Sequence, residues 1–155
     1  VGLTEAGDAP YGSIKSAAGL APLLLDGIGD TIRVSLLGDP VKEIPVAYDI
    51  LQSVGARITR PEIIACPTCG RLEVDLEGLV AQMRDALARE SINAPVRISI
   101  LGCPVNGPGE AREADIGIAA GRAGGVLFVR GEKVRNLTAD EFIPAVIAEV
   151  KAFAR

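Results

Sequence analysis

The stretch LGCPVNGPGE, residues 101–110, constrains this chain more than any other. Two prolines, three glycines and an asparagine surround one cysteine, and the run ends on a glutamate. Proline has no backbone N–H to give, and glycine loses the most backbone entropy on ordering. The composition therefore predicts a loop, neither a helix nor a central strand. A chain that keeps a cysteine and a carboxylate in so costly a segment needs a chemical reason for them.

The other cysteines supply one. Cys66-Pro67-Thr68-Cys69 follows a short apolar segment at 62–65, and Cys103 follows VRISILG at 96–102. Both apolar segments read as strands. If those strands are parallel neighbours, both loops open on one edge of the sheet, where ligand sites of open α/β sheets lie. Three cysteines without a secretory signal argue against a disulfide framework and for metal binding or redox chemistry. The absence of histidine removes every Ser-His or Cys-His catalytic arrangement and most mixed zinc sites. Free cysteines often serve as small buried hydrophobes, but these three lie in Gly/Pro loops instead of on apolar faces. Structural zinc wants four thiolate or imidazole ligands, so three thiolates and a carboxylate would be unusual. A thioredoxin-type pair would leave Cys103 unexplained. An iron–sulfur cluster fits better, because thiolates are its normal ligands. With three of them, one iron of a four-iron cluster is held by something weaker. A hard carboxylate such as Glu110 could be displaced there by a substrate oxygen, which points to chemistry at iron more than to electron carriage.

The chain has 155 residues, enough for one domain or one with a partial second. A net charge of −4 and 3% aromatic residues argue against a nucleic-acid partner. No apolar run reaches the roughly 20 residues of a membrane span, and no targeting signal is visible, so a cytoplasmic location is expected. The first residues, VGLTEAGD, read like the end of a strand, and the start reads as a cut through a longer protein. Residues 13–25 predict a helix with Ile14, Ala17, Ala18, Ala21, Leu24 and Leu25 on one stripe, stopped by Gly27. TIRVSLL at 31–37 predicts a strand with Arg33 and Ser35 on one face. Asp39-Pro40 opens a helix that buries Ile44, Ala47, Ile50, Leu51 and Val54 and ends at Gly55. This strand–helix–strand–helix rhythm belongs to a parallel α/β sheet or barrel. From Arg57 a second unit follows. Asp75 caps a helix carrying Leu76, Leu79, Val80, Met83 and Leu87. DIGIAAG forms a strand, and GVLFVRGEKV a hairpin turning at Arg130-Gly131. A capping box at 138–141 starts a last helix with Phe142, Val146, Val150 and Phe153, which Pro144 bends.

Four segments, CPTCGR, GCPVNGPGEA with DIGIAAG, TEAGD, and GIGDTIRVSL, resemble the 4-hydroxy-3-methylbut-2-enyl diphosphate synthase family, iron–sulfur enzymes of the methylerythritol phosphate route to isoprenoids. The resemblance covers essentially the whole chain. It implies an α/β fold: the last two strand–helix units of a (β/α)8 barrel over residues 1–56, then a small α/β (α+β) iron–sulfur domain over 57–155. Roughly six of the eight barrel units would be missing. It implies that Cys66, Cys69, Cys103 and Glu110 hold a [4Fe-4S] cluster. The reaction it implies is reductive ring opening and dehydration of 2-C-methyl-D-erythritol 2,4-cyclodiphosphate, with flavodoxin or ferredoxin as electron donor and a head-to-tail homodimer as the full-length assembly. Glu5 becomes a proton donor, and Lys15, Arg33 and Ser35 become diphosphate contacts. Asn106 touches substrate. Arg33 within an apolar strand supports this independently, since a buried unpaired charge is expensive. Glu5 and Lys15 also read as ordinary surface charges. Arg71 reads either as a partner of Glu110 or the cluster, or as an exposed cation. A plain electron-transfer or cluster-carrier domain and a structural zinc domain remain the alternatives, and the chain alone is expected to be inactive or nearly so.

Overall fold

The computed structural model describes residues 1–103 and 105–153, which divide into two compact units, Val1–Thr59 and Arg60–Arg155. Together they form a mixed α/β chain. Among the described residues no helix is long and apolar enough to cross a membrane.

The first unit holds helix α1 (Ala9–Leu25), a 3-10 turn (Pro40–Lys42) and helix α2 (Glu43–Ser53). Both helices end as their sequences announce. After α1, Gly27 adopts φ 75° while its N–H and that of Ile28 donate to the carbonyls of Leu24 and Leu23. After α2, Gly55 at φ 72° does the same with Ala56, using Gln52 and Leu51. Each is a Schellman motif, which satisfies carbonyls the helix leaves open and favours glycine at the left-handed position. Asp39 accepts from Val41 N–H at 3.0 Å, so its capping role stands, although it opens the 3-10 turn ahead of α2.

The apolar stripes differ from expectation. Ile14, Ala18 and Leu25 of α1 are exposed, and Gly12, Ser16 and Leu20 are buried instead. Small residues decide this face: a Cβ at Gly12 would stand 2.7 Å from Leu36 Cδ2, and one at Gly19 2.5 Å from Leu3 Cδ1. The neighbours approach where side chains are smallest, whatever the hydrophobicity of the rest. On α2, Ile44 is exposed and Val46 joins Ala47 and Ile50 in the small core with Leu20 and Val34.

Segment 31–37 is extended but is not a regular strand. It makes one parallel bridge, Gly2 to Arg33, with Arg33 N–H donating to Val1 at 2.9 Å and Leu37 N–H to Gly7 at 2.9 Å. A ladder needs a partner along its whole length, and among the described residues these scattered bonds close only one bridge. The alternation itself holds, with Ile32, Val34 and Leu36 packed inward.

The second unit is a five-stranded sheet in the order β1-β2-β3-β4-β5. Strands β1 (Glu62–Ala65), β2 (Arg97–Leu101) and β3 (Ile116–Gly121) are parallel, and β4 (Gly124–Val129) and β5 (Glu132–Leu137) complete it antiparallel. Helices α3 (Leu76–Arg89) and α5 (Phe142–Phe153) cover one face, meeting Ile98, Ile100, Ile116 and Ile118 in the main core. Helix α4 (Gly107–Ala111) covers the other with Leu101, Ala119 and Phe128. Asp75 caps α3 by accepting from Gly78 N–H at 3.0 Å. Arg130 and Gly131, both at positive φ, make the tight turn between β4 and β5. Thr138 donates its N–H and hydroxyl to the Glu141 carboxylate ahead of α5. Pro144 is the third residue of α5, in the first turn where helix N–H groups lack acceptors, and so does not interrupt the helix interior.

The Gly/Pro run corrects the first expectation: Gly107–Ala111 is a short helix. Pro108 sits at its start, where no N–H is needed. The Asn106 carbonyl accepts from the N–H groups of Gly109 and Glu110, both at 3.1 Å. Pro104 lies outside the described residues.

Candidate functional site

Because β1 and β2 are parallel with Ala65 opposite Ile100, the segments that follow them leave the sheet on the same edge. Cys66 comes directly after β1, and Cys103 two residues after β2. Beyond β2, α4 carries Glu110 back over the sheet. The backbone thus brings the segments of Cys66 and Cys103 to the carboxyl end of the parallel strands, the end at which open α/β sheets bind their ligands, while α4 runs back over the sheet toward Gly117.

The side chains are not gathered there. Among the described residues, no three cysteine, aspartate or glutamate side chains stand close enough to share a metal ion. Cys66 is half-buried and packs against the cores on both faces of the sheet. Cys69 and Glu110 are exposed. Cys103 is buried, and the nearby backbone N–H groups of Asn106 first, then of Val105 and Gly107, favour its thiolate. These N–H groups, with the charge of Arg71, hold its thiol below the ordinary range, against the opposing effect of burial. Amides near a sulfur stabilise the thiolate, which is the form that ligates metal. That anion cradle, on a chain offering three thiols and no imidazole, is what suits an iron–sulfur cluster.

Beside Cys66, an open cleft of 390 Å3 runs from Cys66 and Thr68 to Glu77, Val80 and Arg84 of α3. Arg71 is exposed, and among the described residues no ion pair joins it to Glu110. Asn106 is exposed and precedes α4 without capping it through its side chain.

In the first unit, segments 1–7 and 31–37 run side by side, with Glu5 on one and Arg33 and Ser35 on the other, while Lys15 reaches Glu5 from α1. Lys15 Nζ donates to the Glu5 carbonyl at 3.2 Å. Glu5 and Ser35 line one open cleft of 360 Å3 with Thr4, Gly7 and Leu37. Arg33 is exposed and donates to Thr4 Oγ1 at 2.9 Å, so the argument from a buried unpaired charge does not apply to it. Sequence reasoning does not single out Thr4, whose hydroxyl has no local signal and matters only through the register of the two segments. Nor does it find Glu73, whose carboxylate accepts from Arg122 N–H.

Two family models match the chain: the GcpE protein C-terminal domain over residues 62–152 and the GcpE TIM-barrel domain over residues 1–48. The chain belongs to the GcpE family. Curated relatives agree with that membership. A protein of Thermodesulfovibrio yellowstonii is 48% identical over 97% of this chain and 43% of its own length. Relatives in Persephonella marina and Geobacter sulfurreducens are each 50% identical over 97% of this chain and 42% of theirs. All three are named 4-hydroxy-3-methylbut-2-en-1-yl diphosphate synthase (flavodoxin). This GcpE chain therefore spans less than half the length of the relatives it matches. The barrel model falls on the unit that holds Glu5, Lys15, Arg33 and Ser35, and the C-terminal model on the unit that holds the cysteines.

Proposed function

We propose that this chain is the C-terminal part of a 4-hydroxy-3-methylbut-2-enyl diphosphate synthase, with a cluster-binding domain at 57–155 and the end of a (β/α)8 barrel at 1–56. Two cysteine loops that follow neighbouring parallel strands support this reading, in a chain 48% identical to a relative of that name. In the reaction, 2-C-methyl-D-erythritol 2,4-cyclodiphosphate takes up two electrons and two protons. Its ring C–O bond breaks, and one water leaves. A [4Fe-4S] cluster, when bound, supplies single electrons at low potential.

The chain's own residues do the rest. Cys66, Cys69 and Cys103 would hold three irons, and Glu110 the fourth. The amides around Cys103 favour its thiolate before any metal arrives. Arg33 offers a planar donor fork and Ser35 a hydroxyl for the diphosphate, with Lys15 adding charge. Glu5 would hold the proton for the leaving oxygen, and Asn106 would orient the substrate beside the cysteine loop. The relatives' printed name supports flavodoxin as the donor, with ferredoxin the other carrier the resemblance allows. The resemblance also supports a head-to-tail homodimer of the full-length protein.

Iron, zinc and acid-labile sulfide measured on anaerobically purified protein test the site. About four irons and four sulfides per chain are expected; one zinc without sulfide would replace the redox reading with a structural site. Turnover of the cyclodiphosphate by this chain with reduced flavodoxin is expected to be absent, and ring opening by it alone would overturn that expectation.

A further inference from the structure

The two cysteine loops come from different strands, so something must fix one against the other. Segment 72–76 lies across the end of β2 beside Cys103. Glu73 N–H donates to the Gly102 carbonyl at 2.9 Å, and Leu72 N–H to the Cys69 carbonyl at 3.0 Å. The fit leaves no room: a Cβ at Gly102 would stand 2.5 Å from Leu72 Cδ1 and 3.3 Å from Val74 Cγ2. The Glu73 side chain then reaches the far side of the edge. Its Oε2 accepts from Arg122 N–H at 3.2 Å, in the turn between β3 and β4, and stands 3.1 Å from where a Cβ of Gly121 would be. Glu73 therefore touches the Cys103 segment through its backbone and the β3–β4 turn through its carboxylate, while its neighbour Leu72 holds Cys69.

We propose that Glu73 is a positioning residue that fastens the loop at 66–69 against Cys103, so that the thiols of two loops can be presented to one cluster. This rests on the cluster reading above. The carboxylate is half-buried and bonded to a backbone amide, so it acts through the cysteines and touches neither metal nor substrate. An amide oxygen can accept the Arg122 N–H as a carboxylate oxygen does, and a methyl group cannot.

The test compares this chain with Glu73→Gln and Glu73→Ala on two readouts. After anaerobic reconstitution with ferrous iron and sulfide, iron and sulfide per folded chain are measured alongside the visible absorption of the cluster. In metal-free reduced protein, the rate at which dibromobimane bridges Cys69 to Cys103 is measured separately. The expected result is a loss of cluster retention in Glu73→Ala on the order of tenfold, the scale for partners that orient metal ligands. Slower bridging should accompany it, and Glu73→Gln should match the parent on both. Equal retention and equal bridging in Glu73→Ala would overturn the proposal. So would a Glu73→Gln variant as impaired as Glu73→Ala, which would assign the effect to charge. If the parent itself takes up no iron and sulfide, the cluster reading fails, and the bridging rates alone decide whether Glu73 sets the register of the loops.

Discussion

Gly117 and Ala111 lie in direct contact: a Cβ built on Gly117 would stand 2.7 Å from the Cβ of Ala111. This closeness seats α4 on β3 and so fixes where Glu110 stands over the sheet. Gly117→Ala is expected to push α4 outward and destabilise the second unit by about 1–3 kcal/mol, the usual cost of overpacking a tight contact. Urea unfolding followed by circular dichroism checks this. An unchanged midpoint would mean that α4 yields without cost and does not fix Glu110.

Ser91 is the position where the chain departs from its own habit. Like Gly27 and Gly55, it closes a helix: its N–H donates to Ala88 at 3.0 Å and that of Ile92 to Leu87 at 3.2 Å. Unlike them it carries a side chain at φ 51°. A left-handed conformation costs an ordinary residue roughly 1–2 kcal/mol, partly offset by the extra entropy glycine loses on folding. Ser91→Gly should therefore raise stability by about 0.5–1 kcal/mol. A thermal melt that moves down would show that the serine hydroxyl matters more than the backbone.

What was legible in the sequence follows the same division. Local, one-residue devices could be read directly: Gly27 and Gly55 as helix ends, Asp75 as a cap, and Thr138 with Glu141 as a capping box. The strands ahead of the thiol loops could be read because their apolar runs are short-range patterns, whereas their parallel pairing entered only as a condition. Contacts between distant segments could not. Ile14 sits on the apolar stripe of α1 yet remains exposed, because Gly12 and Gly19 allow a closer approach on another face, and Ile44 of α2 is exposed as well. The helix at Gly107–Ala111 is hidden because its proline and glycines forbid a helix interior but not a first turn. Glu73 has no motif at all, since its role depends on a turn about fifty positions downstream.

The Glu141 carboxyl is held below its ordinary value of 4.5, first by the Thr138 N–H, then by the Thr138 hydroxyl and by Arg135. A carboxyl whose folded pKa is lowered adds stability above its unfolded pKa and loses it as pH falls through the folded one. Stability measured by urea unfolding should thus hold between pH 7 and 5 and fall below the ordinary value of 4.5. Glu141→Gln removes the titration and should flatten that part of the profile. An identical acid limb in parent and variant would assign the loss to other carboxylates.

The ligand set makes the last prediction, and its three cysteines start from different surroundings. Cys103 is buried, and the nearby backbone N–H groups hold its thiol below the ordinary range. Cys66 must leave its packing against the core, and Cys69 has no such enclosure. Serine in place of any of the three removes a soft ligand, so each variant should lose sulfide and iron on anaerobic reconstitution. Glu110→Ala should behave differently, because a hard carboxylate is the weakest member of the set. Loading should persist, and the cluster should become easier to strip of one iron by a chelator. A Glu110→Ala protein whose iron is released no faster than the parent's would remove Glu110 from the set and leave the fourth iron to solvent or substrate. A Cys69→Ser protein that still binds four irons would do the same to the loop at 66–69 and take the argument for its fastening by Glu73 with it.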